Sequence, residues 1–225
     1  MRTVIIANGE LSDPIRARAL IRADDRLIAA DGGARHCRAM GLAPHVVIGD
    51  FDSLSPADLA ALEAGGARLV RHPARKDETD LELAVRLAIA EGSNDILVLG
   101  ALGGRWDQTL ANLLLPALFP STLPPAMGGA GGGPRLRLAD GEQQIYLIRG
   151  RAQIEGQVGD IVSLIPIGGD AAGITTEGLE YPLTEGRLPF GASLGISNAL
   201  TSDTATVTVE QGMVLCVVIG ERSSQ

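Results

Sequence analysis

Cysteine is scarce in this sequence, which contains only two among 225 residues. Cys37 and Cys216 lie far apart and lack the spacing of metal ligands, so neither a disulfide framework nor a thiolate metal site organises the chain. We expect both thiols to be reduced and structural. The three histidines at positions 36, 45 and 72 are equally scattered and form no pattern of partners.

Long apolar runs and an excess of basic charge are also missing. No run of about 18 apolar residues occurs, and the first residues lead directly into a strand pattern without the apolar core of a signal peptide. We therefore expect a cytoplasmic protein with no membrane partner. The net charge of −8 argues against nucleic acids as partners and favours a cationic small molecule.

Neither a P-loop nor a GxGxxG motif follows the first predicted strand, which excludes the standard P-loop and dinucleotide folds. The sequence instead alternates short apolar runs with helical patterns up to about Leu115. The predicted strands occupy residues 3–7, 27–30, 46–48, 68–70 and 96–99. This alternation predicts an N-terminal α/β domain of three layers, with right-handed crossovers and a parallel sheet.

The pattern changes after a glycine tract at residues 128–133, which is predicted to be a flexible surface loop. Beyond it, short β-rich runs are separated by glycine turns, and no helical pattern lies between them. Predicted strands there include residues 204–209 and 213–219. We therefore predict two domains, an α/β domain at 1–140 and a smaller all-β domain at 141–225.

Six aspartates follow the predicted strands of the first domain. They are Asp31, Asp50, Asp52, Asp77, Asp80 and Asp107. Because the carboxyl ends of parallel strands share one edge of a sheet, topology brings these acids towards one rim. A set of solvated turns is the alternative, but so many acids favour a divalent cation held by carboxylates and substrate phosphates, with Mg²⁺ as the natural choice.

Elements suited to phosphate binding are predicted at the same rim. Gly32-Gly33 and Gly103-Gly104 allow close backbone approach where helices begin, and Lys76 and Arg105 add positive charge. Ordinary turn geometry is the alternative for the glycines. The only tryptophan, Trp106, is expected to pack in the core rather than to stack on a ligand ring.

Four motifs of the first half occur in the order and spacing found in thiamine pyrophosphokinases. They are DGGA at 31–34, GDFDS at 49–53, KDxTD at 76–80 and GGRxD at 103–107. The second half adds SLIP at 163–166, TxGLxYPL at 176–183 and GISN at 195–198. The chain therefore resembles this family over nearly its whole length. It departs from the family at Gln108, where many bacterial members have histidine, and at the glycine tract.

The resemblance implies that the second domain is a β-sandwich and that the protein is a homodimer with thiamine bound between domains of two subunits. It also implies transfer of the pyrophosphoryl group of ATP to the hydroxyl of thiamine, which gives thiamine diphosphate and AMP. Arg105 would then stabilise the transferring group, and Asp77 or Asp107 would accept the hydroxyl proton.

The ligand sets implied by the resemblance fall into three groups. Mg²⁺ would be held by Asp50, Asp52, Asp77 and Asp80. ATP would be bound by Asp31, Gly32, Gly33, Lys76, Gly103, Gly104 and Arg105. Thiamine would be bound by Ser197 and Asn198, whose polar atoms suit a pyrimidine ring.

Two other functions stay open at this point. Asp50 and Asp52 resemble the DxD of phosphohydrolases that form an aspartyl-phosphate, although that motif normally follows a first strand and here follows the third. A non-catalytic sensor of thiamine or a nucleotide is the second alternative. It would bind its ligand without turnover, and no acidic residue is missing from the motifs to support it.

Overall fold

A computed structural model describes residues 1–119 and 135–220. The predicted loop at 128–133 lies outside these residues. The chain divides into two compact units, one of Met1–Leu115 with Leu138–Gly141 and one of Pro116–Arg137 with Glu142–Gln225. The domain boundary at residue 140 stays a prediction. Within the described part of the chain, every helix is too short or too polar to cross a membrane.

Five strands form the sheet of the first unit. They are β1 (Arg2–Ile6), β2 (Arg26–Ala30), β3 (Val46–Gly49), β4 (Arg68–Arg71) and β5 (Asp95–Leu99). All their pairings are parallel, and the order across the sheet is β5-β1-β2-β3-β4. The strands are short runs of Val, Ile, Leu and Ala, and β3 is buried along its whole length. This confirms the predicted parallel sheet, whose inner strands are mostly apolar, whereas the edge strand β4 begins and ends with an exposed arginine.

Each of these strands is followed by a helix. The helices are α1 (Pro14–Ala19), α2 (Gly33–Ala39), α3 (Pro56–Ala64), α4 (Asp80–Ala90) and α5 (Trp106–Leu114), and a short 3₁₀ turn at Leu115–Leu118 follows α5. Ser55 caps α3 in a reciprocal capping box with Asp58. Asp13 caps α1 and Thr79 caps α4, whereas α2 and α5 have no side-chain cap.

Thr79 caps the start of α4. Its hydroxyl accepts a hydrogen bond from the Glu82 amide at 3.1 Å. The Glu82 carboxylate accepts from the Arg86 guanidinium one turn later, at 2.9 and 2.7 Å. The Glu82 side chain therefore forms an ion pair between residues i and i+4.

The second unit is built from strands, as predicted. After β6 (Arg135–Ala139), which is divided between the two units, the chain forms β7 (Gln143–Glu155), β8 (Ile161–Pro166), β9 (Ala171–Glu177), β10 (Gly186–Leu188), β11 (Asn198–Ala199) and β12 (Thr204–Ile219). No helix occurs in residues 142–220. Its core is formed by alternate Val, Ile, Leu and Ala side chains of these strands.

The two runs predicted at 204–209 and 213–219 are a single strand, β12, in the structure. Its first part pairs with β9 and its second part with β8, while β7 accompanies it along both parts. The register shifts between Val209 and Val214, where Gly212 has a φ of 82°. The strand therefore changes its partner from β9 to β8 at an irregularity, and the sequence pattern shows this irregularity as a gap between two predicted strands.

Both cysteines are buried and unpaired, as predicted. Burial raises the pKa of each thiol to about 12, so neither forms a reactive thiolate at neutral pH. The prediction that Trp106 packs in the core is wrong. Trp106 is the first residue of α5 and is 79% exposed, because the buried side of this helix is formed by Thr109 and Asn112.

Candidate active site

Three carboxylates meet at the carboxyl edge of the parallel sheet. Asp31 follows β2, Asp50 follows β3, and Asp80 opens α4, and each offers an oxygen within 4.8 Å of the other two. The Asp31 amide donates to the Ile48 carbonyl at 2.8 Å, so the pairing of β2 with β3 continues to the base of the site. Residues far apart in the sequence are thus brought together by strand order. We call Asp31, Asp50 and Asp80 the acidic triad.

Asp31 is the most enclosed member of the triad, with a residue exposure of 9%. Its Oδ2 accepts a hydrogen bond from the Ser53 hydroxyl at 2.7 Å. Its Oδ1 is buried and has no hydrogen-bond partner among the described residues. A buried carboxylate oxygen without a partner is costly, and a divalent cation with oxygen ligands supplies the missing partner. The triad therefore fits Mg²⁺ in the type, number and placement of its oxygens.

The turn that follows β3 concentrates negative charge beside the triad. The Asp52 amide donates to Asp50 Oδ1 at 3.0 Å, which makes the turn of the Asx type that the sequence allowed. Asp52 itself is exposed, and its pKa is raised chiefly by the charge of Asp50 and next by that of Asp31. Since like charges raise the pKa of an acid, this position favours a bound cation.

Two arginines hold the backbone of the same turn. Arg71 from β4 donates to the Asp50 carbonyl at 3.1 Å and lies 4.8 Å from the centre of the Phe51 ring. Arg35 from α2 donates to the Ser53 carbonyl. Phe51 is buried with a φ of 66°, a backbone conformation that a bulky residue adopts only when its surroundings impose it. The turn is therefore fixed from both neighbouring elements.

Lys76 lies beside the third member of the triad. Its ammonium group is 2.7 Å from Asp80 Oδ1, and its side chain is 12% exposed. This places a positive charge at the start of α4, where free backbone amides also favour anions. Asp77, predicted both as a metal ligand and as a catalytic acid, is exposed and lies outside the triad.

A cavity of about 550 Å³ opens beside the triad. Of the residues predicted from the sequence, it is lined by Asp31, Asp50, Lys76, Asp80, Gly103, Gly104 and Arg105. Asp52, Asp77, Asp107, Gly32 and Gly33 do not line it. Residues that the sequence analysis missed also line it, and they include Asn8, Glu10, Glu78 and Asn112, together with Gln108. Asn8 and Glu10 follow β1, so the rule that placed the aspartates at this edge would also have found them.

Gly32 and Gly33 serve the packing of α2. A Cβ on Gly33 would lie 1.9 Å from the Ile6 carbonyl oxygen, and one on Gly32 would lie 2.4 Å from the Asn8 side chain. These glycines therefore allow α2 to begin in contact with the end of β1. This is the role in turn geometry that the sequence analysis gave as the alternative to phosphate binding. Gly103 and Gly104, with φ values of 79° and 70°, do line the cavity.

Arg105 and Asp107 form an exposed ion pair at the start of α5. Arg105 Nε donates to Asp107 Oδ1 at 3.1 Å, and a second guanidinium nitrogen donates to Asp107 Oδ2. These bonds raise the pKa of the guanidinium and are the main reason that the pKa of Asp107 is lowered. In this arrangement Asp107 is a weakened base, because Arg105 stabilises its ionised form.

Ser197 and Asn198 lie where a turn of the second unit leads into β11. The Asn198 side chain accepts from the amides of Tyr181 and Ala199 at 3.0 and 2.9 Å, and it donates to the Tyr181 carbonyl at 2.7 Å. Ser197 has a φ of 61°, and its amide donates to the Ser163 hydroxyl at 3.1 Å. Asn198 therefore organises the turn with most of its hydrogen-bonding capacity.

A second cavity, of about 290 Å³, lies beside this turn within the second unit. Asn198 lines it together with apolar side chains. They include Tyr181, Leu183, Leu194 and Ile196. Half or more of the surface of three of these side chains is exposed, namely 65% for Tyr181, 67% for Leu194 and 50% for Ile196. Apolar walls with a few polar atoms are typical of sites for flat organic rings.

Comparison with known proteins gives the same family for both units. A family model described as the catalytic domain of thiamin pyrophosphokinase matches residues 17–120, and one described as its vitamin B1 binding domain matches residues 151–214. The chain belongs to the thiamine pyrophosphokinase family.

Curated relatives agree with this assignment. A thiamine pyrophosphokinase of Bacillus subtilis is 29% identical over 84% of this chain and 85% of the relative. Thiamine pyrophosphokinase 3 of rice, Oryza sativa, is 31% identical over 74% of this chain and 62% of the relative.

Solved structures of thiamine pyrophosphokinases share the fold. The crystal structure from Bacillus subtilis has a TM-score of 0.83 and 25% identity, with 98% of this chain and 100% of that chain covered. The one from Geobacillus thermodenitrificans has a TM-score of 0.82 and 26% identity, with both chains covered completely. The predicted fold class is confirmed, and the protein is an enzyme of the thiamine pyrophosphokinase family. The triad and most of the residues around the first cavity lie within the match to the catalytic domain.

Proposed function

We propose that this enzyme transfers the pyrophosphoryl group of ATP to the hydroxyl of thiamine, giving thiamine diphosphate and AMP. The observation that carries the proposal is the acidic triad beside a cavity of about 550 Å³, with a buried and unpartnered oxygen on Asp31. The cavity is of the usual size for a small-molecule site. The comparisons support thiamine as the acceptor.

Asp31, Asp50 and Asp80 are proposed to hold Mg²⁺, with Asp52 close enough to add negative charge. This set differs from the sequence prediction, which contained Asp52 and Asp77 instead of Asp31. When bound, Mg²⁺ neutralises phosphate oxygens and orients them for displacement.

The remaining phosphate contacts are assigned to other residues that line the cavity. Lys76 supplies a positive charge next to Asp80, and Arg105 supplies a second one. Gly103 and Gly104 bring the backbone to the cavity without side chains of their own, and the Glu10 side chain lies against Gly103. Arg105 would stabilise charge on the transferring group, which requires its ion pair with Asp107 to open or to be shared.

The thiamine hydroxyl attacks the β-phosphorus, and the bond from that phosphorus to the oxygen of AMP breaks. The hydroxyl proton passes to a carboxylate, for which the sequence indicated Asp77 or Asp107. We favour Asp77, because Asp107 is held ionised by Arg105 and its pKa is lowered. Asp77 lies between Lys76 and Glu78, both of which line the cavity.

Ser197 and Asn198 are proposed to place thiamine, with Asn198 acting through the shape of the turn at Tyr181. We also propose that the enzyme is a cytoplasmic homodimer and that each complete site needs two chains. In that arrangement the acidic cavity of one chain faces the Ser197-Asn198 turn of its partner.

Phosphorus NMR of the protein with ATP, Mg²⁺ and thiamine tests the proposed reaction. AMP and thiamine diphosphate in equal amounts are the expected products. ADP would indicate a simple kinase, and inorganic phosphate without thiamine dependence would indicate the phosphohydrolase. Tight binding of thiamine or ATP without any product would favour the sensor.

A further inference from the structure

Ser53 links the turn after β3 to the most buried acid of the site. Its hydroxyl donates to Asp31 Oδ2 at 2.7 Å, although the two residues are 22 positions apart. This bond occupies one oxygen of the Asp31 carboxylate. The other oxygen, Oδ1, has no hydrogen-bond partner among the residues that the structure describes. The two oxygens of Asp31 thus differ in hydrogen bonding, because the Ser53 hydroxyl donates to Oδ2 and not to Oδ1.

Ser53 is itself held in place. Arg35 from α2 donates to its carbonyl oxygen, and the next residue, Leu54, is buried with 7% exposure. The backbone of Ser53 is therefore held at the position from which its hydroxyl reaches Asp31. A chain of contacts runs from the surface of α2 through Ser53 to Asp31.

We propose that Ser53 is a positioning residue of the cation site. By occupying Oδ2, its hydroxyl fixes the rotation of the Asp31 carboxylate and leaves Oδ1 for the cation shared with Asp50 and Asp80. Groups that hydrogen-bond a carboxylate ligand in this way orient it and commonly change metal affinity when removed. The inference rests on the proposed function, because it concerns the cation assigned to the acidic triad.

Binding of Mn²⁺, followed by electron paramagnetic resonance of the purified protein with and without ADP, measures the site without turnover. Competition by Mg²⁺ shows that the same site is observed. We expect Ser53→Ala to weaken Mn²⁺ binding by roughly 10- to 100-fold. Ser53→Thr keeps the hydroxyl and should restore most of the affinity. Arg35→Gln, on the exposed surface of α2, should weaken binding in the same direction by a smaller factor.

Ser55→Ala is the matched control, because it removes a hydroxyl two residues away that bonds to Asp58 and has no bond to Asp31. It should lower the melting temperature and leave Mn²⁺ affinity unchanged. Equal losses of affinity in Ser53→Ala and Ser55→Ala would overturn the proposal, as would wild-type affinity in Ser53→Ala or a wild type that binds no Mn²⁺. Should Ser53→Ala fail to fold, Arg35→Gln and Ser53→Thr still decide.

The proposed reaction is tested separately by AMP formation in the wild type. A wild type that makes no AMP but binds Mn²⁺ with the expected dependence on Ser53 would reject the reaction and keep the positioning role. A wild type that makes AMP, with unchanged affinity in Ser53→Ala, would reject the positioning role alone.

Discussion

Asp31 combines two properties that rarely occur together in a carboxylate, near-complete burial and a free oxygen. We expect Asp31→Asn to lower the rate of AMP formation by on the order of 100-fold or more, because it removes an anionic ligand. Without Mg²⁺ the same variant should melt at a higher temperature than the wild type, since one member of a like-charged cluster is gone. Initial rates over a Mg²⁺ series and thermal melts in EDTA measure both effects. Wild-type rates of the Asp31→Asn variant at the Mg²⁺ concentration that the wild type needs would show that Asp31 is not a ligand of the cation.

Asp77 and Asp107 differ in the surroundings of their carboxylates, and this difference separates them as proton acceptors. We expect Asp77→Asn to lower kcat by about 100-fold, within the usual range for loss of a general base, and to leave Mn²⁺ affinity unchanged. Asp107→Asn should lower kcat less, because its carboxylate already pairs with Arg105. Single-turnover rates and Mn²⁺ titrations of both variants make the comparison. The opposite order of effects would assign the role to Asp107.

At the scale of single residues, the sequence predicted that acids gather at one edge of the sheet, and the structure groups Asp31 with Asp50 and Asp80 there. Strand order alone brings Asp31, Asp50 and Asp80 to one rim. Which oxygens converge depends on turn conformations, such as the φ of 45° at Asp31 and 66° at Phe51. These values follow from tertiary contacts that a single sequence does not display. The same limit applies to Trp106, since a helical pattern does not say which side of a short helix is covered.

Among the helices, α3 offers the clearest test of local stabilisation. Its capping box joins Ser55 and Asp58, and hydrogen bonds from Ser55 are the main reason that the pKa of Asp58 is lowered. A lowered pKa means that the Asp58 contribution to stability is fully present above the ordinary aspartate pKa of 3.8 and is lost as the pH falls through the lower pKa of the folded protein. Ser55→Ala should therefore cost about 1 kcal/mol of unfolding free energy at pH 7 and less at pH 3. Urea unfolding at both pH values measures this. An equal cost at both would show that Asp58 takes no part.

At the scale of elements, the strands and helices of the first unit were predictable because β-branched runs and capped helical patterns alternate cleanly. The second unit was predictable as all-β, but β12 was divided in two. Residues 210–212 separate the two predicted strands, and only the pairing partners on either side show that one strand continues through them. The partners of a strand lie far away in the sequence, so the local sequence pattern could not show that β12 is continuous.

For the whole molecule, the proposed shared site leads to a test by complementation. Asp31→Asn inactivates the acidic cavity and Asn198→Ala the turn at Tyr181, so each pure dimer should be inactive. A mixed dimer keeps one intact cavity facing one intact turn and should regain up to about half of the wild-type activity. The measurement is AMP formation after refolding the two variants together, with light scattering to confirm dimers. Mixed dimers that stay inactive would show that each chain builds its own site.

The order in which the strands of the second unit appear has a consequence for synthesis on the ribosome. β12 pairs with β7, β8 and β9, yet among the described strands it is the last to be made. Until it emerges, those three strands lack the partner that completes their hydrogen bonding, and their apolar faces stay open. The five strands of the parallel sheet are finished by Leu99, and beyond Leu115 their unit needs only Leu138–Gly141 from later in the chain. In a nascent chain, the parallel sheet could therefore form early, while the strands of the second unit would stay unpaired and prone to aggregate. Chaperones would be needed during translation mainly for the second unit.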